Sequence, residues 1–299
     1  MSWPTDPWLL ATLLVTGALY ARGARMAQLR VLPSGRRRRR DGLEQGLAFY
    51  GALATILFAL GSLDHLADSL FVVHMTQHLL LMLVAAPLIA LAAPWHALWR
   101  PFPLRIRRAI ARGVARSRPA APLRRIAHWL ALPIPAWIAF NGDVGLWHVP
   151  WMYDLTLRNA AVHYVEHLSF VAFGVLFWAQ TFDSPPLRAK LGYFGRAVYA
   201  ATGAGAAWVL AVVLALAPTA LYAGYASLQT RPGGLSGLTD QELAAGVMWG
   251  PGSITYAIVV FWALYRWLDD EEPRRRRRHA TAPLRDSGAD LAPARVFDV

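Results

Sequence analysis

Residues 70–93 read LFVVHMTQHLLLMLVAAPLIALAA, twenty-four positions without a single Asp, Glu, Lys or Arg. At 1.5 Å per residue such a segment makes a helix of about 36 Å, enough to cross a hydrocarbon layer of ~30 Å. Its polar residues crowd the beginning: His74, Thr76, Gln77 and His78 precede an unbroken apolar run. Two imidazoles four residues apart lie on one helical face, about one turn from each other along the axis.

Working outward, apolar blocks of similar length recur at about 3–21, 45–63, 126–146, 160–180, 194–218 and 241–267. With 70–93 they make seven candidate spans, and the expected fold is an all-α polytopic membrane protein. A membrane barrel would need alternating segments of ~10 residues, which this chain lacks. Composition agrees: 56% of the 299 residues are hydrophobic and only 16% are charged. Residues 1–273 read as one transmembrane domain, and 274–299 as a basic, Arg- and Ala-rich tail without an apolar period, expected to be disordered. Met1 to Trp8 carry Asp6 and no basic residue, the wrong polarity for a secretory signal, so the first block is expected to stay attached.

The basic residues set an expected orientation. Eight fall in 22–40, nine in 100–125, three in 188–196, and eight more at Arg266 and in the tail, leaving only Arg158 and Arg231 elsewhere. By the positive-inside rule the N-terminus and the connections 64–69, 147–159 and 219–240 face outward, and the C-terminus is cytoplasmic. The same placement explains the net charge of +12 without invoking nucleic acid. The runs Arg36 to Arg40 and Arg274 to Arg278 read as stop-transfer charge beside an anionic leaflet. With no cysteine, disulfides, thiolate metal sites and cysteine nucleophiles are excluded.

This topology sorts the nine histidines. His96, His128 and His279 fall at or beyond the inner ends, whereas His65, His74, His78, His148, His163 and His167 all fall at the outer ends. His163 and His167 open block 160–180 as His74 and His78 open block 70–93. Two such pairs at one depth point to a metal or cofactor, because polar groups inside a membrane are costly unless paired, liganded or hydrated. A purely structural reading stands beside it: the imidazoles could bond one another, Glu166 or Gln77 and glue helices together. Neutral imidazole suits copper, zinc, iron or nickel, and Met75, Met82 and Met248 on the outer halves would favour copper(I). Asp64, Asp154, Glu166 and Asp240 are candidates for orienting the rings.

Two further patterns bear on chemistry. His163-Tyr-Val-Glu-His167 matches the H-x-x-E-H motif of inverted zinc proteases, with Glu242 as the one acidic residue on the outer side that could serve as third ligand. Haem is the stronger competitor, since two helices with two histidines each could supply bis-His axial ligation. The connection 147–159, rich in Trp and Tyr, reads either as an interfacial aromatic belt or as a lid in which His148 completes the site.

These residues resemble a known family. His74-Met-Thr-Gln-His78-Leu-Leu-Leu-Met with Pro87 and Pro94, Trp147-His148-x-Pro150-x-x-Tyr153-Asp154, His163-x-x-x-His167-x-x-Phe170 with Phe177-Trp178, and Asp240-Gln241-x-x-Ala244 through Met248-Trp249 to Pro251-Gly252 are similar to the multi-pass cytochrome c oxidase assembly factors of the caa3 type, called CtaG. The resemblance runs over about residues 45–270. It implies a non-enzymatic helper in the bacterial plasma membrane that assists formation of a haem-copper oxidase by handling copper, with oxidase subunits or other copper-delivery factors as partners. On this reading His74, His78, His163 and His167 are the core ligands. His65 and His148 exchange the ion, and Met75 and Met248 are optional copper(I) ligands.

Overall fold

The computed structural model describes residues 6–28 and 36–281, all-helical and without a β-strand among them. Helix α1 spans Pro7–Gln28 and α2 Arg36–Leu57, the latter running on through a π-helical turn, Phe58–Ser62. The bent helix α3, Phe71–Ala92, carries the stretch quoted above. Two amphipathic helices follow, α4 Leu104–Arg116 and α5 Ala121–Leu130, and then α6 Pro133–Trp147. The short α7, Pro150–Arg158, leads into α8 Ala160–Ala179, α9 Tyr193–Ala215 and α10 Gly237–Thr281. Residues 3–5 of the expected first block and 282–299 of the basic tail lie outside the described residues.

Among the described residues, five helices are long and apolar enough to cross a membrane: Gly42–Ser62, Phe71–Ala92, Ala160–Ala179, Tyr193–Ala215 and Gly237–Glu272. The block expected at 126–146 is divided. Pro133 has no N–H to give and forces the residue before it out of the helical region, so Leu132 is extended (ψ 151°) and α6 begins afresh with only 15 residues. The connection 147–159, expected as a lid or belt, is itself mostly the helix α7.

The bend in α3 has a definite cause. Pro87 removes one amide donor and its ring crowds the carbonyl four residues back, and Leu80–Ala85 accordingly open into a π turn. The carbonyls so released find side-chain donors on neighbouring helices. Trp178 Nε1 donates to the Met82 carbonyl and Thr255 Oγ1 to the Leu83 carbonyl, both at 2.8 Å. Each bond restores what the membrane interior cannot supply and ties α3 to α8 and α10.

Small residues let the helices approach. Gly174 of α8 lies so near α3 that a Cβ there would stand 2.9 Å from Ala86 Cβ. Ala197, Ala200, Gly203 and Ala211 of α9 face α10, where Ala244, Ala245 and Ala263 are buried. The core is Phe140, Phe170, Phe177, Trp178, Tyr199 and Tyr256, with a second cluster of Phe71, Met75, Tyr153, Tyr222, Tyr225 and Met248 toward one end. Leucines, valines and isoleucines line the outside, among them Leu168, Val209, Val213, Leu216, Ile254 and Ile258. An apolar exterior around a core with buried polar groups is what a lipid solvent selects.

Candidate metal centre

The two histidine pairs meet where α3 and α8 begin. Leu70 is extended, and the first free amides of α3, Phe71 N–H and Val72 N–H, donate to Asp240 Oδ2 and Oδ1 at 2.8 and 3.0 Å. A fully buried carboxylate at a helix N-terminus meets both the open donors and the positive end of the dipole. Asp240 thereby fixes the first turn of α3, and His74 projects from it. On α8 the cap is local: Asn159 Oδ1 accepts from Ala161 N–H and Val162 N–H at 3.0 and 3.3 Å, setting His163 in the first turn.

From these anchors His74, His78, His163, Glu166 and His167 converge, each with a potential ligand atom within 4.8 Å of every other. His163 Nε2 and His74 Nε2 stand 3.2 Å apart. Glu166 reaches toward His78 Nε2 (3.9 Å) and His163 Nε2 (4.0 Å). Metal–nitrogen bonds of ~2.0–2.1 Å place ligand atoms about 3.3 Å apart at a tetrahedral angle and about 4.1 Å apart across a centre. The observed separations bracket those values, and the widest pair would need to close by about 0.7 Å.

The group is dry and under-bonded. His74, His78, Glu166 and His167 are buried, whereas His163 keeps a quarter of its side chain exposed. His78 Nδ1 and Nε2, His167 Nε2 and both Glu166 oxygens have no hydrogen-bond partner. A buried polar atom without a partner costs roughly 1–3 kcal/mol, and a charged one more. Beyond the His163–His74 contact the cluster leaves His78, His167 and Glu166 atoms without partners, which fits a cation better than helix glue, where these too would be bonded to one another.

Tyr225 prepares one ligand. Its hydroxyl donates to the Ala67 carbonyl at 2.5 Å and so accepts from His74 Nδ1–H at 2.8 Å. The His74 proton is therefore on Nδ1, and the Nε2 lone pair faces the cluster, as an outer partner does for a ligating imidazole. Nothing in the sequence reading singled out Tyr225. The signal available was Tyr222-Ala-Gly-Tyr225, two aromatics three apart at the outer end of a Gly- and Ser-rich connection.

The other candidates lie elsewhere. His65 and Asp64 are exposed on the short helix Asp64–Ala67, where Asp64 Oδ1 takes a 3.4 Å contact from Gln77 Nε2. Asp154 Oδ1 accepts from Gly224 N–H at 3.0 Å, bracing the outer connections against each other rather than orienting a ring. Asp240 likewise serves backbone amides. His148 follows α6 and is turned away from the five-residue cluster: its Nδ1 donates to the Val144 carbonyl at 2.7 Å and its Nε2 faces Met75 Sδ at 3.4 Å. Burial pushes the His148 pKa down to about 4. Met248 packs with Met75 in the second aromatic cluster. Glu242 is exposed and no part of the convergence.

A family model for the cytochrome c oxidase caa3 assembly factor matches residues 18–270, and the chain belongs to that family. Comparison with curated proteins and with solved structures gives no significant match.

Proposed function

We propose that this member of the caa3 assembly-factor family binds copper in the His74, His78, His163, His167 and Glu166 cluster and delivers it during maturation of a haem-copper oxidase. The observation that carries the reading is the convergence of four imidazoles and one carboxylate, buried and lacking partners, at one end of a membrane bundle. Copper is favoured among the ions that imidazole accepts because thioether sulfur lies beside the cluster and the oxidase to be assembled is a copper enzyme. A carrier must also release its cargo. His163, a quarter exposed, gives the cluster an open side through which ligands can exchange, as a sealed structural site would not.

The topology that goes with this function has seven spans. α1 and α6 join the five long apolar helices, the N-terminus is outside the bacterial plasma membrane, and the C-terminus is in the cytoplasm. It is supported by the basic residues of α4, α5 and the tail, and by the meeting of connections 64–69, 147–159 and 219–240 around the histidines. Oxidase subunits or other copper-delivery factors would meet the protein on that face.

Bis-histidine haem is the alternative. Two axial bonds of ~2 Å hold nitrogens about 4 Å apart with a flat macrocycle between them. Here the nearest cross-helix nitrogens are 3.2 Å apart, and His78, His167 and Glu166 occupy the space around them, which favours an ion. No catalytic step is assigned: Glu166, the base in a protease reading, is fully buried.

The test is genetic and chemical together. Cells carrying His74→Ala/His167→Ala in place of the native chain should make the protein in normal amount while oxidase activity and the copper content of the oxidase both fall. Normal copper in the oxidase of such cells would overturn the proposal.

A further inference from the structure

Met75 and His148 are treated by the sequence as accessories to the histidine cluster, but the structure pairs them with each other. Met75 follows His74 on α3, is 1% exposed, and sets its sulfur against the His148 ring. His148 is 6% exposed and comes from the turn between α6 and α7. The pair joins elements 73 residues apart in sequence.

What makes the contact unusual is that neither atom has a proton to give. The Val144 carbonyl can only accept, so His148 Nδ1 carries the ring hydrogen and Nε2 presents a lone pair. A thioether sulfur is also an acceptor alone. Two buried lone-pair donors facing each other at 3.4 Å have no hydrogen bond to make with one another. A soft cation between them would bond to both.

We propose that Met75 Sδ and His148 Nε2 form a second, copper(I)-selective site beside the imidazole cluster, where the ion waits on its way between the outer surface and that cluster. This rests on the copper reading of the cluster. An imidazole and a thioether are the soft, neutral pair that favours copper(I) over zinc or copper(II). Bonds of ~2.0 Å to nitrogen and ~2.3 Å to sulfur span 3.4 Å at an angle of about 104°, which leaves coordination positions free for an arriving or departing donor.

Placement supports a waiting position. The Tyr153 ring stands 5.4 Å from the His74 ring and 6.2 Å from that of His148, so one aromatic side chain borders both sites. Val149 and Trp151, beside His148, are exposed, so the pair sits just under the surface. It offers two ligand atoms, whereas the cluster beyond offers one from each of five residues, so the ion passes from the poorer donor set to the richer. Tyr222, whose hydroxyl donates to the His148 carbonyl at 3.2 Å, holds the turn in place.

The experiment uses the full chain, produced with selenomethionine, purified in detergent and loaded anaerobically with excess copper(I). Copper X-ray absorption should show a selenium neighbour at bonding distance together with nitrogen neighbours, and copper analysis should give two ions per chain. Met75→Leu should abolish the selenium signal and lower the content to one ion, while Met82→Leu and Met248→Leu keep both values. Should the Met75→Leu protein not accumulate, a chain with Met26, Met82, Met152 and Met248 all changed to Leu, which keeps selenium only at Met75 and Met1, still locates it. No selenium neighbour, or one that survives Met75→Leu, overturns the pair while leaving a nitrogen-bound copper and the cluster reading intact. A selenium-bound copper whose content is unchanged by His74→Ala/His167→Ala supports the pair and overturns the cluster reading. No bound copper at all overturns both.

Discussion

Replacing Tyr225 with Phe removes one oxygen atom from the bundle and tests how the cluster is prepared. That oxygen accepts the Nδ1 proton of His74 at 2.8 Å and donates to the Ala67 carbonyl. Without it a buried ring N–H loses its partner, at a cost of roughly 1–3 kcal/mol. The proton is also free to move to Nε2, the atom that must stay bare to bind metal. Loss of an outer partner of a ligating histidine typically weakens metal binding about 10–100-fold, and the energy of the lost bond converts to the same range. Competition with a coloured copper chelator in detergent at pH 7 reads this directly. Tyr199→Phe is the matched control, since its hydroxyl is buried without a partner and its ring stacks on Phe177, about 15 Å down α8 from His167. Tyr199→Phe should leave copper affinity unchanged and thermal stability unchanged or slightly raised. The reasoning fails if Tyr225→Phe binds copper as the native chain does, or if both variants weaken binding alike.

Three other substitutions have distinct signatures. Asp240→Asn exchanges a charged acceptor of two helix-terminal amides for a neutral one; it should destabilise the protein by about 1.5–3 kcal/mol and weaken copper binding as well, and an unchanged melting temperature would refute the cap. Gly174→Ala puts a methyl 2.9 Å from Ala86 Cβ and should cost about 1–3 kcal/mol; a rise in melting temperature, as helix propensity alone would give, would show that α3 and α8 are not so close. Glu166→Gln should separate stability from binding: the metal-free protein keeps its stability to within about 1 kcal/mol, because an amide of the same shape fills the place, while copper affinity drops by more than tenfold, and a parallel loss of both would contradict a ligand role.

Much of this was legible in the chain because the bilayer imposes long apolar blocks. The blocks at 70–93, 160–180 and 194–218 became helices within two or three residues of their expected ends. The four central histidines were legible for the same reason, since spacing of four puts two rings on one face and block position gives depth. Block 126–146 is divided at Pro133, a backbone effect that hydropathy does not register. The acidic residues depend on packing in another way. Asp154 and Asp240 have the position of ring-orienting groups, yet the amides they satisfy come from Gly224 and from Phe71 and Val72, distant partners that only the folded packing reveals. Tyr225 and the Met75–His148 contact escaped because their meaning lies in which atom carries a proton, and that follows from three-dimensional neighbours.

The most direct measurement is the metal content and visible spectrum of the protein purified from membranes in detergent, native chain beside His74→Ala/His167→Ala. The native chain is expected to carry copper in stoichiometric amount with no Soret absorption, and the double variant to lose the cluster's share. A red native protein, or copper retained in full by the variant, would contradict the assignment of these imidazoles to a copper ion.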